Sequence, residues 1–186
     1  MPAILIFILC ATIGRAQQHQ HQTAANTQPA KTMAGLGNHH HAVSTGNPRA
    51  QQFFDQGLRL IYAFNHEESA RAFQRAAELD PNLAMAWWGY ALAVGPNYNE
   101  SVVDPARMKA AVDAVEKAKA LSGSASEAER AYIGALATRF SLAANTDVKQ
   151  LGTAYSDAMR TVFERSPGDP DAAVLYADSL MNVQPW

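Results

Sequence analysis

Two residue types recur at one distance in this chain, and that recurrence narrows the possible folds more than any other feature. Trp87 follows Phe53 by 34 residues, and Ala91 follows Gly57 by the same 34. Between them lie Leu60, Ser69, Phe73, Ala76 and Pro81, so that bulky and small apolar residues alternate at helical spacing. A period of this length belongs to stacked helix pairs, in which each pair is too small to bury its apolar face alone. Small residues at Gly57, Ala76 and Ala91 are expected where paired helices approach closely. Phe53, Phe73 and Trp87 are expected to fill the space between them.

Local signals place the helices. An Asx-Pro pair occurs at Asn47-Pro48, Asp80-Pro81, Asp104-Pro105 and Asp169-Pro170. The Asx side chain can accept a first-turn N–H, and proline suits the first helical position. Asn65 with Glu68, and Ser126 with Glu129, have capping-box spacing. Thr146-Asp147 marks one more start. These predict helices over 48–63, 66–79, 82–94, 104–121, 126–142, 147–166 and 170–182. The connections are short, which makes consecutive helices antiparallel neighbours. Gly95-Pro96 interrupts the pattern and predicts a loop over 95–101.

The register of Phe53, Gly57, Leu60, Ser69, Phe73, Ala76 and Pro81, followed by Trp87, resembles the tetratricopeptide repeat. So does the run Phe73-x-x-Ala76-Ala77-Glu78-Leu79-Asp80-Pro81. The similarity covers 48–186 and is tightest over 50–94; over 104–166 extra residues lengthen the period. Met159, Val162 and Pro167, then Ala177 and Leu180, fit a later unit. Tyr62 to Glu68, Ala86 to Tyr90 and Gly95 to Asn99 are similar to a group of exported bacterial tetratricopeptide proteins. The resemblance implies an all-α architecture of antiparallel helix pairs stacked as a right-handed α-solenoid, about three and a half repeats here. It also implies further repeats: Ala172 to Met181 has the form of a first helix without its partner, which makes this the N-terminal part of a longer protein.

The first 47 residues are different material. Ala3 to Ile13 is almost purely apolar, yet shorter than the roughly 20 residues a membrane-spanning helix needs. With Gly14-Arg15-Ala16 behind it, it fits a signal peptide spanning 1–16. Cys10, the chain's one cysteine, is preceded by bulky Leu9 rather than the small residue a lipoprotein site requires. Residues 17–47 are rich in Gln, His, Asn, Thr and Gly, with Lys31 the only charged side chain. Such a segment buries too little apolar surface to offset its ordering entropy, and a disordered tether is expected. It holds His19, His21, His39, His40 and His41. The plain reading of these histidines is a polar spacer; the other is that imidazoles in a flexible run bind Cu(II), Ni(II) or Zn(II) weakly, here separately from the fold.

Function is read from what remains. A formal net charge of -2 and no basic cluster exclude nucleic acid as a main partner. After signal cleavage no membrane association is expected, and the address is periplasmic or secreted. No Ser-His-Asp order, phosphate-binding glycine loop, Cys-x-x-Cys or His-Glu-x-x-His occurs, so neither enzyme chemistry nor a cofactor is called for. Oligomeric state is left open. In the solenoid the first helix of each unit lines the concave face, which places Phe54, Leu58, Ile61, Trp88 and Leu92 there. An apolar groove of this kind suits a protein or peptide partner. The plain counter-reading is that a tether, a second copy or further repeats cover it. Trp87 is then core and Trp88 groove. The alternative function is a metal-binding or catalytic protein whose main site lies in further C-terminal sequence. His66, the one histidine in the helical part, would contribute to it beside Glu67, Glu68, Asn97, Asn99 and Glu100.

Overall fold

The computed structural model of the protein describes residues 29–144 and 146–184. The signal-peptide assignment, residues 17–28 of the expected tether and the last two residues lie outside them. Among the described residues the fold is all-α, with seven α-helices and no strand. The helices are α1 (Pro48–Tyr62), α2 (His66–Leu79), α3 (Ala84–Val94), α4 (Pro105–Leu121), α5 (Glu127–Ala137), α6 (Val148–Arg165) and α7 (Pro170–Val183). None is long and apolar enough to cross a membrane.

The helix starts follow the capping chemistry. The side chains of Asn47, Asp104, Asp147 and Asp169 each accept two first-turn N–H groups, and Pro48, Pro105 and Pro170 occupy first-turn positions. Ser126 and Glu129 make both halves of a capping box. Asp80-Pro81 behaves differently. It forms a turn in which Asp80 accepts the Asn82 N–H at 3.1 Å, and α3 begins later, after Leu83 and without a side-chain cap. The fifth helix ends at Ala137, short of the expected 142. Phe140, freed from the helix, packs its ring where a Cβ on Gly95 would stand, 2.6 Å away. That contact seats the 95–101 loop, whose backbone closes a bridge between Asn97 and Glu100.

Consecutive helices pack against one another, and α1 also touches α3, and α3 touches α5. At the centre of the first three helices Phe73 is fully buried. A Cβ on Gly57 of α1 would meet its ring at 2.8 Å, and one on Gly89 of α3 at 2.3 Å. Both glycines are therefore spacers that let α1 and α3 close on one phenylalanine of α2. Ala76 and Ala91 are fully buried too. The α1–α2 turn closes with N–H groups of Phe64 and Asn65 on the carbonyls of Ile61 and Leu60, both at 2.9 Å. Phe64 takes φ +57°, the left-handed position usually given to glycine.

Three expectations are corrected here. Residues 29–47 are not a loose tether in their described part. They form a strap laid on the helices, bent at 34–36 with Gly35 and Gly37 in the left-handed region, and extended over 39–47, where His39, His41, Val43, Thr45 and Asn47 turn inward and the residues between them are exposed. This period of two is that of an extended chain against a surface. Phe54, Leu58, Trp88 and Leu92 are buried, at most 5% exposed, and Ile61 is half-buried. They do not form an open groove, because the strap and α5 close over them: the His41 and Tyr132 rings lie against Phe54 and Trp88 respectively. The two tryptophans are not divided between core and groove as expected. Trp88 packs in the core, while Trp87 is half-buried, with the Lys117 ammonium of α4 3.8 Å over its ring.

Candidate functional site

The strap is held through its backbone. The Gln56 amide accepts the Met33 N–H at 2.9 Å and donates to the Lys31 carbonyl at 3.0 Å. One turn and a half earlier on α1, the Gln51 amide accepts the Val43 N–H at 3.0 Å and donates to the His41 carbonyl at 2.8 Å. Each glutamine thus pairs with the carbonyl of one strap residue and the N–H of the residue two further on. That is the pairing a neighbouring β-strand would offer an extended chain. On the strap between these two pairs, the His39 carbonyl accepts from the Arg59 guanidinium, through Nε at 2.6 Å and also through Nη2. At the far end Glu129 of α5 accepts both the N–H and the hydroxyl of Ser44, the former at 2.7 Å. Thr45 donates to Asp80 at 2.5 Å.

The strap histidines meet carboxylates. His40 Nδ1 lies 2.8 Å from Asp55, which also accepts the His41 N–H at 3.2 Å. Asp171, in the first turn of α7, is buried between two imidazoles: His39 Nε2 at 2.8 Å from Oδ1 and His41 Nδ1 at 2.7 Å from Oδ2. The Tyr62 hydroxyl donates to Asp171 Oδ1 at 2.5 Å, and the Tyr132 hydroxyl donates to Asp169 Oδ2 at 2.6 Å. Helices α1, α5 and α7 therefore converge on the strap at His41. Their junction is placed by a cap, because Asp169 also accepts the Asp171 N–H at 2.9 Å.

The electrostatics follow from burial and pairing. Burial alone would lower the His41 pKa, but its hydrogen bond to Asp171 and the charges of Asp171, Asp169 and Glu129 outweigh it and raise it above the ordinary value. Burial pushes Asp171 up, and hydrogen bonds from His41 and Tyr62 more than reverse that, holding it below the usual carboxylate range. Glu129 is likewise depressed, burial being overcome by bonds from Ser44 and Ser126. Tyr62 and Tyr132 are driven up by burial and then by the neighbouring carboxylates, so both hydroxyls stay protonated donors.

His66 stands apart from this junction. Both its ring nitrogens are buried without a hydrogen-bond partner among the described residues, and burial lowers its pKa. It is not one of the three groups, His41, Asp169 and Asp171, that come within metal-binding reach of one another among the described residues. Of the expected metal candidates, His39 and His41 are brought together on Asp171, His40 faces Asp55, and His66 is elsewhere. Sequence reasoning missed Gln51 and Gln56 as backbone clamps, and Asp55, Asp169, Asp171, Tyr62 and Tyr132 as partners. Asp169 was legible only as a helix cap. Only the fold shows Asp55 and Gln56 of α1 as buried polar residues, and it is their burial that requires partners.

No family model, curated protein or solved structure matches this chain.

Proposed function

We propose that this chain is an exported tetratricopeptide-like scaffold, its helix pairs stacked as a right-handed solenoid, whose inner face binds extended peptide. The role is binding, not catalysis, and the setting is periplasmic or secreted. One observation carries the reading: two glutamines and an arginine on a single helix grip the main chain of an extended segment, each glutamine pairing with a carbonyl and the N–H two residues on. Main-chain hydrogen bonds give affinity with little dependence on sequence, and alternate inward side chains add selectivity. Here the occupant is the chain's own residues 31–45, so the apolar surface of Phe54 and Trp88 serves as the floor beneath a bound strand rather than as an open groove. An external peptide would compete with the strap for the same clamps.

The test is transfer from cis to trans. A chain lacking 29–46, checked for retained helix by circular dichroism, is titrated with a synthetic peptide of those residues. Saturable binding is expected, lost when both Gln51→Ala and Gln56→Ala are introduced. A folded deletion chain that ignores the peptide would sink the proposal.

A further inference from the structure

We infer that His41, Asp169 and Asp171 form a binding site for a divalent first-row transition ion of the Zn(II) type, which clips the strap to the start of α7. One ligand atom from each of the three residues lies within 4.8 Å of the other two. A tetrahedral zinc holds nitrogen and oxygen donors at about 2.1 Å, which sets them about 3.4 Å apart. Small rotations of three side chains bring these donors to that spacing and leave a fourth position for water.

The ion pair of His41 with Asp171, 2.7 Å long, has around it the outer support that a metal site needs. Each carboxylate has one oxygen held by a tyrosine hydroxyl, Asp171 by Tyr62 at 2.5 Å and Asp169 by Tyr132 at 2.6 Å. Such outer hydrogen bonds orient metal-ligating carboxylates. Asp171 is 3% exposed and has the second carboxylate of Asp169 within that same 4.8 Å cluster. The N-terminus of α7, the His39 and His41 imidazoles and the two tyrosine hydroxyls share the load of these two adjacent negative charges. A bound dication would take the place of the proton that His41 shares with Asp171. Donors of imidazole and carboxylate type suit Zn(II), Ni(II) or Cu(II) and not the thiolate-seeking Cu(I). His39, on the outer oxygen of Asp171 at 2.8 Å, supports the site from outside. The metal joins residues far apart in sequence, so its binding energy acts on strap closure. This is independent of the peptide reading, which rests on Gln51 and Gln56.

The test uses the full chain, freed of metal with a chelator and titrated with zinc chloride by calorimetry. Hydrogen exchange is followed with and without zinc. One tight zinc per chain is expected, with slowed exchange over residues 39–45 and the first turn of α7. Asp171→Asn should weaken binding at least tenfold, while His19→Ala with His21→Ala leaves it unchanged. Zinc affinity that is the same in Asp171→Asn overturns the site. So does exchange at α7 that zinc does not change, a measurement on the unaltered chain that decides the matter even where Asp171→Asn fails to fold.

Discussion

The α1–α3 unit and the strap that crosses it are held by opposite means. In the unit, Phe73 sits between two glycines and the surrounding alanines are fully buried. Its cohesion is apolar area and close fit, which respond to any change in volume. The strap lays Ala30, Val43 and the His41 ring on the core and is fastened by side-chain hydrogen bonds to its backbone and by carboxylates on its histidines. Net contributions of that kind are about 1 kcal/mol each. The contrast teaches that a segment too polar to fold alone can still be ordered once a folded surface presents the right acceptors and donors. Cutting a core contact should therefore unfold the unit, and cutting a strap contact should release the strap and spare the helices.

The largest effect is expected at Trp88. Trp88→Ala opens a cavity under the strap and should cost about 3–5 kcal/mol by chemical denaturation. Trp87→Ala, on the half-buried face beneath Lys117, should cost clearly less. Equal losses would mean that burial does not separate the two. Next comes Gly89→Ala, whose new methyl would enter the Phe73 ring at 2.3 Å. Overpacking of this kind costs about 1–3 kcal/mol, read as a lower denaturation midpoint; an unchanged midpoint would show that Phe73 can step aside.

The strap should respond locally. Gln51→Ala leaves the His41 carbonyl and the Val43 N–H without their partner. It should raise amide exchange at Val43 with a loss of about 1 kcal/mol in strap closure. The midpoint of the helices should hold nearly constant, and a cooperative collapse would show that strap and helices fold as one. The smallest effect lies outside both regions. Phe64→Gly relieves a left-handed φ of +57°. It should raise stability by about 0.5 kcal/mol, the steric relief being partly offset by the freer unfolded glycine. A drop instead would mean that the Phe64 ring, exposed as it is, does more at the turn than its strain costs.

Helix positions were legible because their causes are local. Asn47, Asp104, Asp147 and Asp169 cap within three residues of themselves, and the expected starts agree closely with those of α1, α4, α6 and α7. The exceptions also have local reasons. Asp80 spends its carboxylate on a turn and on Thr45, and α5 stops early so that Phe140 can reach Gly95. The inward face of α3 was not legible. The helix reads Ala-Met-Ala-Trp-Trp-Gly-Tyr-Ala-Leu-Ala-Val, apolar all round, so periodicity gives no preference between Trp87 and Trp88.

By itself the sequence determined the all-α class of the described residues, most of the helix boundaries and the small residue Gly57 at which α1 closes on Phe73. Each depends on neighbours within a turn or on a repeated spacing. Only the tertiary structure decided that Trp88 is core, that residues 29–47 lie as a strap, and that His41 meets Asp171 across 130 positions of chain. A polar segment carries no periodic signal of its own, and the partners that order it come from α1, α5 and α7 only after those helices have packed.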